Sequence, residues 1–188
     1  MESKSRIIIG ISGASGIIYG IRLLEELSKT DLETHLVISK SAELTLSHEN
    51  QLKSSELKKL ADVYHPVADI GASISSGSYK TLGMIVAPCS IRTASEISSG
   101  VTSNLLTRSA DVTLKERRKL VLMVRESPLH TGHLRTLTNL SEIGAIIAPP
   151  VPAFYSKPKN IDDIINHNIG RILDLFDIKN ELVDRWNG

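Results

Sequence analysis

An arginine and a glutamate stand side by side at Arg125 and Glu126, after the apolar run 120–124 (LVLMV) and before Ser127 and Pro128. A run of that length and composition reads as a strand buried on both faces. In open parallel α/β sheets, ligands collect at the carboxyl ends of the strands. The strand would therefore deliver a forked cation and a carboxylic acid to the place where chemistry is done. The alternative is a solvated ion pair capping the strand.

Three earlier turns have a similar character. Glycines at 10, 13 and 16, with Ser12, Ala14 and Ser15 between them, join a strand at 6–11 to a helix at 17–28. Free N–H groups and the positive end of the helix dipole make such a turn a phosphate cradle. It is not the dinucleotide fingerprint, whose second glycine would stand at Ser12, and no Gly-Lys-Ser/Thr follows to make a Walker loop. The second strand, 35–39, ends in Ser39 and Lys40, where a nicotinamide-binding unit wants an acidic residue. That disfavours NAD and suits an anion or a phosphorylated mononucleotide, although Ser39 is equally suited to N-cap a helix at 42–48. A third strand, 83–87, runs into Pro88, Cys89 and Ser90, another strand-to-helix turn presenting donors. Cys89 has no base beside it in the sequence and reads as a buried structural thiol rather than a nucleophile.

The elements that must position these groups alternate along the chain. Short charged helices are expected at 53–61 and 109–118, and a polar, turn-rich loop at 63–79 whose length suggests a role. Beyond Glu126, a helix at 131–143 aligns Leu134, Leu137 and Leu140, with His130 and His133 at its start. Those histidines have a metal-compatible spacing but no third ligand nearby, so no metal site is expected. A last strand at 145–148 leads into a proline-rich turn that gives Tyr155 a defined direction. A helix at 161–176 turns Ile164, Ile165, Ile169, Ile172 and Leu173 inward and leaves Arg171 off that stripe. Trp186 reads as packing on a neighbour. No repeat or linker interrupts residues 1–188, so the chain reads as a single doubly wound α/β domain with a mostly parallel sheet.

Bulk composition narrows the function. With 22 basic and 21 acidic residues, a net charge of +1 leaves no electrostatic footprint for nucleic acid. A single cysteine among 188 residues excludes an internal disulfide framework and fits a reducing compartment. The N-terminal apolar stretch, about six residues, is too short for a signal peptide or a membrane span. A cytoplasmic protein is expected.

The motifs together are more specific than any one. GASG at 13–16, ISK at 38–40, APCSIRT at 87–93, NLLTRSADVTLKERRKLVLMVRESPL at 104–129 and PAFY at 152–155 resemble the UbiX-type flavin prenyltransferases, including members labelled phenolic acid decarboxylase subunits. The resemblance runs nearly end to end. It implies a Rossmann-like or flavodoxin-like flavoprotein that binds FMN at a subunit interface, commonly in a dodecamer, without metal. It also implies transfer of a dimethylallyl group from dimethylallyl phosphate to N5 and then C6 of reduced FMN. The prenylated FMN would serve a UbiD-type decarboxylase. Carried over, Gly13, Ala14, Ser15, Ser39, Ser90, Ile91, Arg92, Thr93 and Arg125 would bind the flavin, and Lys115, Arg125, Tyr155 and Arg171 the dimethylallyl phosphate. Glu126 would be the acid and Ser15 the hydroxyl assisting proton movement, while Arg108 has no assigned role. Tyr155, and less directly Tyr79, are candidate π faces for the developing allyl cation. The chain departs from some members at 64–80 and 130–133. Rival readings are an FMN-dependent cysteine decarboxylase, a non-catalytic FMN carrier subunit and a flavodoxin-like electron carrier. The cysteine decarboxylases typically carry a His near the first helix and an Asn-containing PxMNxxMW segment, and both are missing here.

Overall fold

The computed structural model describes residues 4–183. Six strands, β1 (Arg6–Ile11), β2 (Glu33–Ile38), β3 (Val63–His65), β4 (Gly83–Cys89), β5 (Lys119–Val124) and β6 (Ala145–Ile147), form one sheet in the order β3-β2-β1-β4-β5-β6. Every pairing is parallel, where the sequence suggested only a mostly parallel sheet. Period-2 alternation explains the two cores. Ile7, Ile9, Ile11, Leu36, Ile38, Ile85 and Val121 face α1 (Ile17–Leu27), α2 (Lys40–Glu49), the short α3 (Ser54–Leu57) and, later in the chain, a long helix at Ile161–Asp174. Ile8, Val37, Met84, Val86, Leu120 and Leu122 face α4 (Ile91–Ser98), α5 (Leu105–Lys115) and α6 (Thr131–Glu142). The long helix is α7. Each fully buried Ile or Leu contributes roughly 1.5–3 kcal/mol.

Strands are added outward in one direction from β1 through β2 to β3, and in the other from β4 through β5 to β6. The chain ends of β1 and β4 therefore diverge at the carboxyl edge, which is the switch point where such sheets hold ligands.

Several boundaries differ from expectation for local reasons. β3 falls inside the expected loop: its three residues are too few for a readable alternation, and Pro66 follows at once. α5 begins at Leu105 rather than 109, because Asn104 caps it (its side chain accepts from Thr107 N at 3.1 Å) and Leu105 and Leu106 are buried. The 53–61 segment is α3 followed by a 3-10 turn, Lys58–Leu60. The Ala87–Pro88 and Ser127–Pro128 peptide bonds are cis. Trp186 lies outside the described residues.

Candidate functional site

At the carboxyl edge the turn after β1 is stapled to the turn after β4 by one side chain. Ser12, 1% exposed, donates from its backbone N–H and its hydroxyl to Pro88 O, both at 3.1 Å, and its Oγ accepts from Ser90 N at 2.7 Å. The residue that spoils the dinucleotide fingerprint is thus a structural staple. Replacing Ser12 with Ala strands the part-buried Ser90 N–H donor and weakens the hold on Pro88. The expected cost is about 1–3 kcal/mol, read as a lower urea midpoint at unchanged slope.

Gly13 is set by close approach. A Cβ there would overlap the Ser41 side chain and stand 3.0 Å from its carbonyl carbon. The chain then enters α1 through Gly16, whose φ of 100° suits glycine.

The start of α1 is not the free phosphate cradle that the glycine turn suggests. The Glu49 carboxylate, from the last residue of α2, accepts from Gly16 N at 2.9 Å and Ile17 N at 3.1 Å, and the Ser15 hydroxyl bonds to it as well. Burial alone would raise the Glu49 pKa. The Ser15 hydroxyl, the two N–H groups and the nearby Arg125 charge outweigh it and hold the carboxyl below its usual range. Glu49 carries no local signal, because it sits 33 residues from Gly16 in the chain.

Two serines that were candidate anion ligands are helix caps. Ser39 Oγ accepts from Ala42 N at 3.1 Å, and Ser90 Oγ accepts from Thr93 N at 3.2 Å while donating to Thr93 Oγ1 at 3.1 Å. Capping does not remove them from the surface. A cleft of ≈ 470 Å³ is lined by Ser39, Lys40, Ser41, Ser90, Arg92, Thr93 and Glu96, together with Val67, Ala68, Ser103 and Asn104. Arg92 is exposed and paired with Glu96 at 2.9 Å.

β5 brings the Arg125–Glu126 pair to the same edge. Arg125 N donates to Cys89 O at 3.0 Å, its guanidinium is exposed, and Glu126 Oε1 accepts from Ser127 N at 3.1 Å. Cys89 is fully buried, and desolvation pushes its thiol up to about 12, so it is inert as a nucleophile, as its sequence context suggested.

Of the remaining candidates, Lys115 does not join this cluster within one chain. Lys115 ends α5 just before β5 begins, so the six-residue strand, about 20 Å long, separates it from Arg125. Lys115 pairs with Glu116. Tyr155 is 69% exposed in a 3-10 turn (Phe154–Ser156), with its OH 3.3 Å from His167 Nε2 on α7. Arg171 lies one turn beyond His167 and pairs with Asp174 at 2.9 Å. The chain past α7 reaches the amino ends of β4 and β5, where Lys119 Nζ donates to Leu175 O at 2.6 Å and Phe176 packs on Gly83.

Tyr79, the weaker candidate π face, is engaged on the side of the sheet by other residues. Its OH lies 3.2 Å from His35 Nε2, and Arg6 stacks over its ring at 4.5 Å. Of the two unassigned histidines, His130 caps α6, its Nδ1 accepting from Gly132 N at 3.0 Å, and its ring lies tilted by 32° against His133 with centroids 3.5 Å apart. Among the described residues no group of three or more His, Cys, Asp or Glu converges as a metal site.

A model of the flavoprotein family matches residues 1–184. Over 186 residues the chain is 58% identical to the flavin prenyltransferase UbiX of Escherichia coli strain K12, covering 97% of this chain and 98% of that one. Among solved structures, AnUbiX (PadA1) in complex with FMN and dimethylallyl pyrophosphate is 47% identical, with a TM-score of 0.97 over 99% of both chains. A dodecameric FMN-dependent UbiX-like decarboxylase from E. coli O157:H7 is 45% identical, with a TM-score of 0.95 over 97% of this chain and 100% of that one.

Proposed function

The chain belongs to the flavoprotein family and within it to the UbiX-type flavin prenyltransferases, and on that premise we propose that it moves a dimethylallyl group from dimethylallyl phosphate onto reduced FMN. The observation that carries the residue roles is the gathering of Ser15, Glu49, Arg125 and Glu126 at the switch point, beside a cleft lined with hydroxyls and cations.

Reduced FMN is the acceptor and supplies the nucleophilic positions N5 and C6. The cleft would take its phosphate: Lys40 would face a charge of about −1.5 to −2, Arg92 would join it by exchanging its pairing with Glu96, which lines the same cleft, and the hydroxyls of Ser39, Ser41, Ser90 and Thr93 line the space. Gly13 and Ala14 would line the flavin from the turn after β1, and Arg125, exposed at the end of β5, would offer its guanidinium to the second phosphate. Glu126 donates a proton to the departing phosphate oxygen as its bond to the allyl carbon breaks. Ser15, bonded to Glu49, relays a proton away from the ring system, with the depressed carboxylate as the charged end of the relay.

Lys115, Tyr155 and Arg171 bind the substrate phosphate from neighbouring copies. A single chain keeps Lys115 a strand's length from Arg125, and a solved relative is a dodecamer. The chain therefore works as a homo-oligomer, and its product serves a UbiD-type decarboxylase in the cytoplasm. No helix among the described residues is long and apolar enough to cross a membrane.

The direct test is anaerobic incubation of the purified protein with reduced FMN and dimethylallyl phosphate, followed by mass spectrometry of the extracted flavin. A flavin heavier by one five-carbon prenyl unit is expected. Tightly held but unmodified FMN would instead favour a carrier subunit or an FMN-dependent decarboxylase.

A further inference from the structure

The polar loop before β4 is anchored under the end of α5 more firmly than a connector requires. Ile74, in a 3-10 turn (Ser73–Ser75), is 1% exposed in the core. Tyr79 is held by His35 and Arg6. Between these anchors Arg118 reaches over from the α5–β5 turn. It donates from Nη2 to Gly77 O at 2.7 Å and from Nη1 to Tyr79 O at 2.8 Å. The hydroxyls of Ser76 and Ser78, 2.9 Å apart, close the turn.

The surface so formed carries the Lys115–Glu116 pair. A Cβ on Gly77 would come within 2.7 Å of Lys115 Nζ and would overlap the Glu116 carboxylate. Gly77 does not have the left-handed backbone of Gly16, and what a side chain there would meet is the flexible ends of that pair, which it would displace. A lysine is a flexible point charge on a four-carbon stem and loses much rotamer freedom when fixed. Here a flat glycine floor and a neighbouring carboxylate confine it beforehand.

We propose that Gly77 and Arg118 are positioning residues for the Lys115 ammonium, holding it where a neighbouring copy's substrate phosphate is bound. The inference rests on the reading of Lys115 as a phosphate ligand. Arg118 acts through the loop: its fork bridges two carbonyls and keeps the floor flat, which the single ammonium of a lysine cannot reproduce. Gly77 acts by having no side chain to displace the ammonium.

The test is a double-mutant cycle on the full-length oligomer, with reduced FMN saturating and dimethylallyl phosphate varied. Gly77→Ala is expected to lower kcat/KM by roughly 10- to 100-fold, mainly through KM, as a displacement of about 1 Å does. FMN affinity and Tm should be unchanged. In the Lys115→Ala background, Gly77→Ala should add nothing, because the group it displaces is gone. Arg118→Lys, which adds no bulk at the floor, should show the same KM effect and the same non-additivity. Equal factors in both backgrounds, or an unchanged kcat/KM for Gly77→Ala and Arg118→Lys while Lys115→Ala lowers it, would overturn the positioning role. A Lys115→Ala enzyme with native KM would instead remove the premise, a result distinct from either of these.

Discussion

Glu126→Gln is expected to bind FMN as the native protein does and to lose prenyl transfer by roughly 10²–10⁴-fold. The isosteric amide can keep the carbonyl oxygen that accepts from Ser127 N, so the turn after β5 and the placement of Arg125 survive. Only the acidic proton is lost. That proton matters because a phosphate dianion is a poor leaving group, and protonation of the bridging oxygen lets it leave as a less charged species. The defect should appear in kcat, since the cations that bind the phosphate are untouched. Single-turnover anaerobic assays that follow the extracted flavin by mass would read it. Unchanged turnover with FMN bound would remove Glu126 as the acid and return the Arg125–Glu126 pair to a cap on a strand.

Where local chemistry decides, the fold was legible in the sequence. The strand runs 6–11, 83–87 and 120–124 were readable because, Arg6 apart, both faces are buried and the residues are apolar. Ser39 and Ser90 were readable as caps because capping is a contact over three residues. β3 was not, since three residues beside a proline carry too little pattern. The site was legible in the same uneven way. The place of Arg125 and Glu126 at the carboxyl edge follows from strand direction alone. Ser12 and Glu49 make their decisive bonds 76 to 78 and 32 to 33 residues away, which no local signal marks. The long motif that includes both Lys115 and Glu126 misleads about space. Its residues are neighbours in the chain, but it spans the end of a helix and a whole strand, so its two ends lie at opposite edges of the sheet.

That separation makes a mixing experiment decisive. If Lys115 and Glu126 meet only between copies, Lys115→Ala and Glu126→Gln homo-oligomers should each be nearly inactive. Co-expressing the two chains with different tags and selecting mixed oligomers should recover activity, because random assembly leaves about a quarter of the sites with both native side chains. Recovery to about a quarter of the native rate, from backgrounds reduced by roughly 10² or more, would be a large signal. A site built within one chain would show none, since every chain carries a defect. The physics favours assembly of this kind. An ammonium brought to the phosphate by a second copy is desolvated only when the oligomer closes, and an interaction between charges strengthens as water is excluded. Substituting Arg171→Ala for Lys115→Ala in the same mixture extends the test to the far end of α7. Recovery there would place a second cation from another copy on the same phosphate, whereas no recovery with Arg171 alongside recovery with Lys115 would confine the shared site to the end of α5.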